Sequence, residues 1–186
     1  MRDGLPQGLR CAIPTAMDAS AHYRHLATLG RDEFLAAAAP AALVRHRTED
    51  PLATSGERTL TLDESVDDET LQHGRYNVSD VEMEVYPLAK KAGASFADRI
   101  TIGRTGNNDV VINDHSVSRL HAYVRFQDGG WFVADAGSKN GSWLRGDKLE
   151  PRRERPLSSR IVLRLGDVDL TFYLAADLFA VLGGGM

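Results

Sequence analysis

The chain of 186 residues is 42% hydrophobic and 26% charged, an ordinary globular composition, and is longer than the roughly 100 residues of a single small β-sandwich. Its one cysteine, Cys11, excludes an internal disulfide and any metal site built on cysteine, and suits a reducing cytoplasm. The net charge of −4 is unevenly spread. Residues 1–90 hold 9 Lys and Arg against 15 Asp and Glu, and residues 91–186 hold 13 against 11, so the second part is too weakly basic for a nucleic-acid footprint but suits a small anionic ligand.

Residues 1–19 carry Gly, Pro and small residues without periodicity and read as a loose terminus. Ser20 is placed to start a helix, and Tyr23, Leu26, Leu29, Phe34 and Leu35 recur at helical spacing up to Pro40. Gly30 interrupts this pattern, which predicts two short helices or one broken helix. Leu43 and Val44 then suggest a short strand over Ala41–Arg47. Residues 48–79 change character, with many Asp and Glu and few large apolar side chains, and read as an acidic linker. No apolar run approaches the roughly 20 residues of a membrane span, and no apolar stretch follows a basic start. A cytoplasmic protein without a membrane partner is expected.

After residue 80 the hydrophobic period becomes two. Val81, Met83 and Val85 alternate with Glu82, Glu84 and Tyr86 until Pro87. Further strands are predicted over Arg99–Gly103, Asp109–Ile112, Leu120–Phe126, Trp131–Asp135, Ser142–Leu144, Ile161–Leu165 and Val168–Leu174, each bounded by turn residues such as Asp128-Gly129-Gly130 and Gly166-Asp167. No helix-length pattern separates them, so hairpins and short crossovers connect them. The expected fold is mainly β: an antiparallel two-sheet β-sandwich over 80–176, with a short α-helical extension over 1–47, the acidic linker over 48–79, and a C-terminal helical turn and tail over 177–186. Trp131 and Trp143 read as packing residues, and Arg152, Arg153 and Arg155 as a solvated loop.

Three loops carry polar residues of unusual type: Gly103-Arg104, Ser116-Val117-Ser118-Arg119-Leu120-His121, and Ser138-Lys139-Asn140-Gly141. Loops on a rigid sandwich are common places for binding residues. Together with Asn108-Asp109-Val110-Val111-Ile112, Asp135 ahead of Ser138, and Leu165-Gly166-Asp167, these segments resemble the forkhead-associated (FHA) domain, of FHA/SMAD-like fold, in order and spacing over about residues 80–176.

The resemblance implies a phosphothreonine-peptide-binding module. A phosphothreonine brings roughly −1.5 to −2 charge and three strong acceptor oxygens, so it calls for fixed donors. By the resemblance, Arg104 pairs with the phosphate, Ser118 donates a hydroxyl hydrogen bond to it, and Asn140 holds the peptide backbone, while Arg119 and Lys139 stand at neighbouring positions that often contact phosphate. It also makes Ser116 the residue expected to influence the third position after phosphothreonine, and its small neutral side chain predicts no strong acidic preference there. Gly103, His121 and Gly141 are expected to be structural, with His121 bracing the loops and Gly141 allowing a turn that a Cβ would oppose.

The bland alternatives are weak. Ser118 and His121, three residues apart on an extended segment, make a poor nucleophile and base, and His115, His121, Asp109 and Asp114 match no metal-ligand spacing. No enzyme activity, cofactor or metal is therefore expected. The expected partner is a phosphothreonine-containing protein, such as a Ser/Thr kinase or its substrate, with an adaptor role in kinase signalling. The acidic segment offers an intramolecular partner, since it holds Thr48, Thr54, Thr59, Thr61 and Thr70. Phosphorylation there would let it dock on the domain's own cationic rim. The alternative is a phospho-independent interaction or structural module whose N-terminal helices make the main contact.

Overall fold

The computed structural model describes residues 16–47, 82–93 and 96–183, and the acidic segment lies outside the described residues. Helix α1 (Ala16–Leu29) begins four residues before Ser20, and Gly30 separates it from α2 (Arg31–Ala37). Two sheets follow. The first has six strands in the order β2 (Glu82–Pro87), β1 (Ala41–Arg47), β11 (Val168–Leu174), β10 (Ile161–Leu165), β7 (Ser142–Leu144) and β8 (Asp147–Lys148). The second has five, in the order β4 (Val110–Val111), β3 (Ile100–Gly103), β5 (Ala122–Gln127), β6 (Gly130–Asp135) and β9 (Arg155–Leu157). All strand pairs are antiparallel except β3 and β4, where Ile102 lies beside Val110 in a parallel register.

The alternating inward residues of both sheets form one core, in which Leu43, Ile100, Ile102, Val124, Leu163, Leu165 and Phe172 are fully buried. A second cluster lies on the outer face of the six-stranded sheet, where Tyr23, Leu26 and Phe34 of the N-terminal helices meet Val44, Val85, Tyr173, Leu178 and Phe179. Helix α3 (Ala175–Val181) supplies the last two of the α-helical residues named. Strand β1 is therefore covered on both sides, which explains why Ala41-Ala42-Leu43-Val44 is apolar without alternation.

The N-terminal extension expected over 1–47 thus contributes its last seven residues to the sandwich, pairing Leu43 with Tyr86 on one side and with Phe172 on the other. Polar bonds fasten the helices as well. The Val85 N–H donates to Ser20 Oγ at 2.8 Å, and the Ala39 N–H donates to the Tyr23 hydroxyl at 2.9 Å. Strands β8 and β9 are additions to the elements read from sequence. Both are short edge strands, and β9 accommodates Pro156 because an edge position demands fewer backbone donors. Its Arg155 is exposed, and nearby Arg153 pairs with Glu150 at 2.9 Å. No helix among the described residues is long and apolar enough to cross a membrane.

Candidate functional site

At one end of the sandwich, the loop after β3, the loop before β5 and the loop after β6 enclose a cavity of about 600 Å³. Arg104, His115, Ser116, Val117, Ser118, Arg119, Leu120, Gly137, Lys139 and Asn140 line it. Five of the residues singled out for phosphopeptide contact, Arg104, Ser118, Arg119, Lys139 and Asn140, are therefore brought together, although they come from three separate loops. Arg104, Arg119, Lys139 and Asn140 are exposed and Ser118 is half-buried. Among the described residues no carboxylate forms an ion pair with Arg104, Arg119 or Lys139, so three cations face the cavity uncompensated. Such a concentration of one sign favours an anionic ligand.

Each loop is held by its neighbours. The Arg104 N–H donates to the Ser118 carbonyl at 2.9 Å, and Arg104 Nε donates to the Val117 carbonyl at 3.1 Å. The guanidinium is thus oriented through Nε while its two Nη groups carry no partner among the described residues. Ser118 Oγ accepts the Lys139 N–H at 2.9 Å, which leaves the hydroxyl proton for another acceptor. Asn140 Nδ2 donates to the Ser116 carbonyl at 2.8 Å, fixing the amide plane beside the cavity.

Gly103 permits the closest approach. A Cβ there would collide with the Arg119 carbonyl oxygen and stand 2.8 Å from Asn108 Nδ2, so no larger residue fits between β3 and the loop of Arg119. Asn108, the first residue of the Asn108–Ile112 motif, is the tie across this contact. It is buried, and its Nδ2 donates to the Arg119 carbonyl at 2.6 Å and to the Thr105 carbonyl at 2.8 Å.

His121 is completely buried. Its Nδ1 accepts the Ser118 N–H at 2.9 Å, so the proton sits on Nε2, which faces the Gly141 carbonyl at 2.9 Å. The ring thereby links the loop before β5 to the loop after β6. Both nitrogens are committed, which leaves none to deprotonate the Ser118 hydroxyl. Burial lowers the His121 pKa below the usual histidine value, against the opposing pull of the Gly141 carbonyl and the Asp135 carboxylate. Gly141 itself has φ +90°, and a Cβ there would press on Lys148 Cε and Trp143 Cη2 at 3.2 Å.

Asp135, which precedes Ser138 in the motif, organises the third loop. Its Oδ1 accepts the Gly137 and Ser138 N–H groups at 2.7 and 2.8 Å, and its Oδ2 accepts the Ser138 and Ser142 hydroxyls at 2.6 Å each. Burial pushes the carboxyl pKa up, but the hydroxyl and backbone hydrogen bonds together outweigh it and hold the group below the ordinary aspartate range. The Ser138 hydroxyl in turn accepts the Gly141 N–H at 2.9 Å.

Ser116, expected to influence the third position after phosphothreonine, also lines the cavity. It is buried, its hydroxyl donates to Asp114 Oδ1 at 2.7 Å, and the same oxygen accepts the Asp167 N–H at 3.0 Å. The hydroxyl is thus occupied in anchoring the loop to the β10–β11 turn. Leu120, the first residue of the strand predicted over Leu120–Phe126, is 41% exposed and lines the cavity. Strand β5 begins only at Ala122, so the alternation does not reach back to it. Among the described residues no group of His, Cys, Asp and Glu is arranged to hold a metal ion.

Residues 100–166 match the family model for the FHA domain. The chain is also similar to proteins called oxoglutarate dehydrogenase inhibitor. That of Corynebacterium diphtheriae is 40% identical over 93 residues, covering 48% of this chain and 63% of the relative. That of Corynebacterium glutamicum is 33% identical over 84 residues, covering 44% of this chain and 57% of the relative. The match therefore spans about three fifths of the length of those relatives. Among solved structures, the FHA domain of an Arabidopsis thaliana hypothetical protein aligns with a TM-score of 0.44 at 19% identity, over 73% of this chain and 86% of that one. Mycobacterium tuberculosis EmbR in complex with a low-affinity phosphopeptide aligns with a TM-score of 0.43 at 25% identity, over 53% of this chain and 23% of that one. The sandwich described above, the loops that crown it and the family match over residues 100–166 lead to one conclusion: the chain carries a forkhead-associated (FHA) domain.

Proposed function

We propose that this chain is a non-catalytic module that binds phosphothreonine peptides in the cavity between its three loops. The observation that carries the reading is the convergence of the unpartnered Arg104 Nη groups, the Ser118 hydroxyl proton, the Asn140 amide and the Arg119 and Lys139 cations on one concave surface. A doubly charged phosphoryl group answers all of these donors at once. Arg104 pairs with its oxygens, Ser118 donates to one of them, and Asn140 holds the peptide backbone alongside. Charge-assisted hydrogen bonds contribute about 1.5–3 kcal/mol each. Three or four of them, less the cost of ordering the peptide, leave about 8 kcal/mol, which is micromolar affinity.

The test is to compare one peptide with and without phosphate on a single threonine, using the full chain and Arg104→Ala. Micromolar binding of the phosphorylated form alone, lost in the variant, supports the reading. Equal binding of both forms rejects it.

The finer reading is an adaptor in Ser/Thr kinase signalling, working in the cytoplasm and self-inhibited by its acidic segment. Arg45 of β1 pairs with Asp114 at 3.5 Å, and Asp114 anchors the loop of Ser116 that lines the cavity. The chain therefore enters residues 48–81 from a strand end close to the site. A phosphothreonine among Thr48, Thr54, Thr59, Thr61 and Thr70 would be presented at about millimolar effective concentration, enough to saturate a micromolar site. Phosphorylated full-length protein should then bind an external phosphopeptide more weakly than a form lacking residues 1–15 and 48–79 joined by a short linker. Equal binding rejects self-inhibition.

A second reading is favoured by the 40% identity to an oxoglutarate dehydrogenase inhibitor. In it, the unphosphorylated chain binds oxoglutarate dehydrogenase itself without any phosphate. Inhibition of that enzyme by unphosphorylated full-length protein, persisting in Arg104→Ala, distinguishes it from the first.

A further inference from the structure

Of the two larger apolar side chains that line the cavity, Val117 is buried, whereas Leu120 is 41% exposed. Its position is imposed by the backbone on either side. The Arg119 carbonyl is held by Asn108 Nδ2 at 2.6 Å and by the Thr105 hydroxyl at 3.0 Å. The His121 N–H donates to the Ile102 carbonyl at 2.9 Å, and the His121 carbonyl accepts the Ala136 N–H at 2.8 Å. With both neighbours pinned and the His121 ring buried, the intervening side chain is directed outward into the cavity. It cannot fold back onto the core without breaking these bonds.

The surroundings leave room for a ligand against it. Gly137, which lines the same cavity, has nothing beyond its own chain neighbours within 4 Å of where a Cβ would stand. Arg119 and Lys139 line the same cavity and are exposed. The cavity therefore combines an aliphatic surface with exposed cations. Ser116, the natural candidate for reading the peptide, has its hydroxyl engaged elsewhere.

We propose that Leu120 is a specificity-determining residue, which selects an aliphatic side chain flanking the phosphothreonine. The inference rests on the phosphothreonine reading above. Because Leu120 is rigidly presented, covering it removes apolar surface from water at little cost in ordering the protein. Phosphate contacts supply affinity without regard to the flanking residue, and Leu120 then adds a preference of about tenfold for a peptide that lays one aliphatic side chain on it.

The experiment uses the full chain and a set of nine-residue alanine–glycine peptides with a central phosphothreonine. One is the all-alanine parent, and four others carry a single leucine two or one residues before, or one or two residues after, the phosphothreonine. The readout is the ratio of each leucine peptide's affinity to the parent's. One position should give about tenfold tighter binding, the ratio should collapse to twofold or less in Leu120→Ser, and it should survive in Leu120→Met. A parent that binds with no leucine preference, or a preference unchanged in Leu120→Ser, overturns this inference alone. Absence of phosphate-dependent binding by every peptide overturns it together with the phosphothreonine reading.

Discussion

The backbone N–H of Lys139 donates to Ser118 Oγ at 2.9 Å, across a sequence separation of 21 residues. This bond makes the hydroxyl an acceptor towards the protein and leaves it a donor towards the cavity. A serine in this place is thus tied into the fold and pre-oriented for a ligand, at a point where the loops before β5 and after β6 meet.

Ser118→Ala removes both functions. Phosphopeptide affinity should fall at least tenfold, since a charge-assisted hydrogen bond of about 1.5–3 kcal/mol is lost. The half-buried site lets water reach the freed Lys139 N–H, so the stability loss should stay near 1 kcal/mol. Fluorescence polarisation with a labelled phosphopeptide and urea unfolding measure the two separately. A large stability loss with unchanged affinity would reverse the assignment.

Arg104 discriminates between charge and geometry. Arg104→Ala should weaken phosphopeptide binding by more than a hundredfold through loss of at least two charge-assisted bonds. Arg104→Lys should not restore it, because lysine has no Nε to bond the Val117 carbonyl and no planar fork for the phosphate. Titration calorimetry on the three proteins settles the point. Recovery to within threefold in the lysine variant would mean that charge alone suffices.

Gly103 and Asn108 carry the close approach of β3 to the loop of Arg119. Gly103→Ala forces a Cβ onto the Arg119 carbonyl and should cost about 2–3 kcal/mol of stability, as overpacking against fixed backbone does. Asn108→Ala strips the Arg119 carbonyl of its shortest hydrogen bond and should cost about 1–3 kcal/mol. Both should also weaken phosphopeptide binding, because the spacing of Arg104 and Ser118 is no longer held. Chemical denaturation midpoints for the two variants provide the check.

His121 and Asp135 give stability a defined pH dependence. Both have folded-state pKa values lowered from the ordinary value, so the unfolded chain binds protons more readily and stability rises with pH through each window. The His121 contribution is complete above its unfolded pKa of about 6.5 and is lost as pH falls below that value towards the folded pKa. That of Asp135 is complete above about 3.9 and is lost at still lower pH. Urea midpoints should therefore decline between pH 7.5 and 5 in the wild type. His121→Gln, which has no proton to gain, should show a flatter profile over that range despite lower overall stability.

The period-two alternation after residue 80 marked the longer strands of the sandwich, because inward residues are apolar and the bends carry Gly, Asp or Asn, whereas the short edge strands β8 and β9 carry too few residues to show a period. Four segments in register sufficed for the family resemblance and for the candidate residues. What sequence left open was decided by contacts far apart in the chain. Ala41–Arg47 joins the sandwich because both its faces find apolar partners, in the core and in the N-terminal helices, and no local pattern reveals a cover supplied from elsewhere. Ser116 turns its hydroxyl to Asp114 and Asp167 because the β10–β11 turn, some 51 residues on, closes over it. Leu120 leaves the inward row because hydrogen bonds on either side fix the backbone before β5 begins. Periodicity reports which side of a strand is apolar. Only the packed structure determines where a strand starts and which loop meets which.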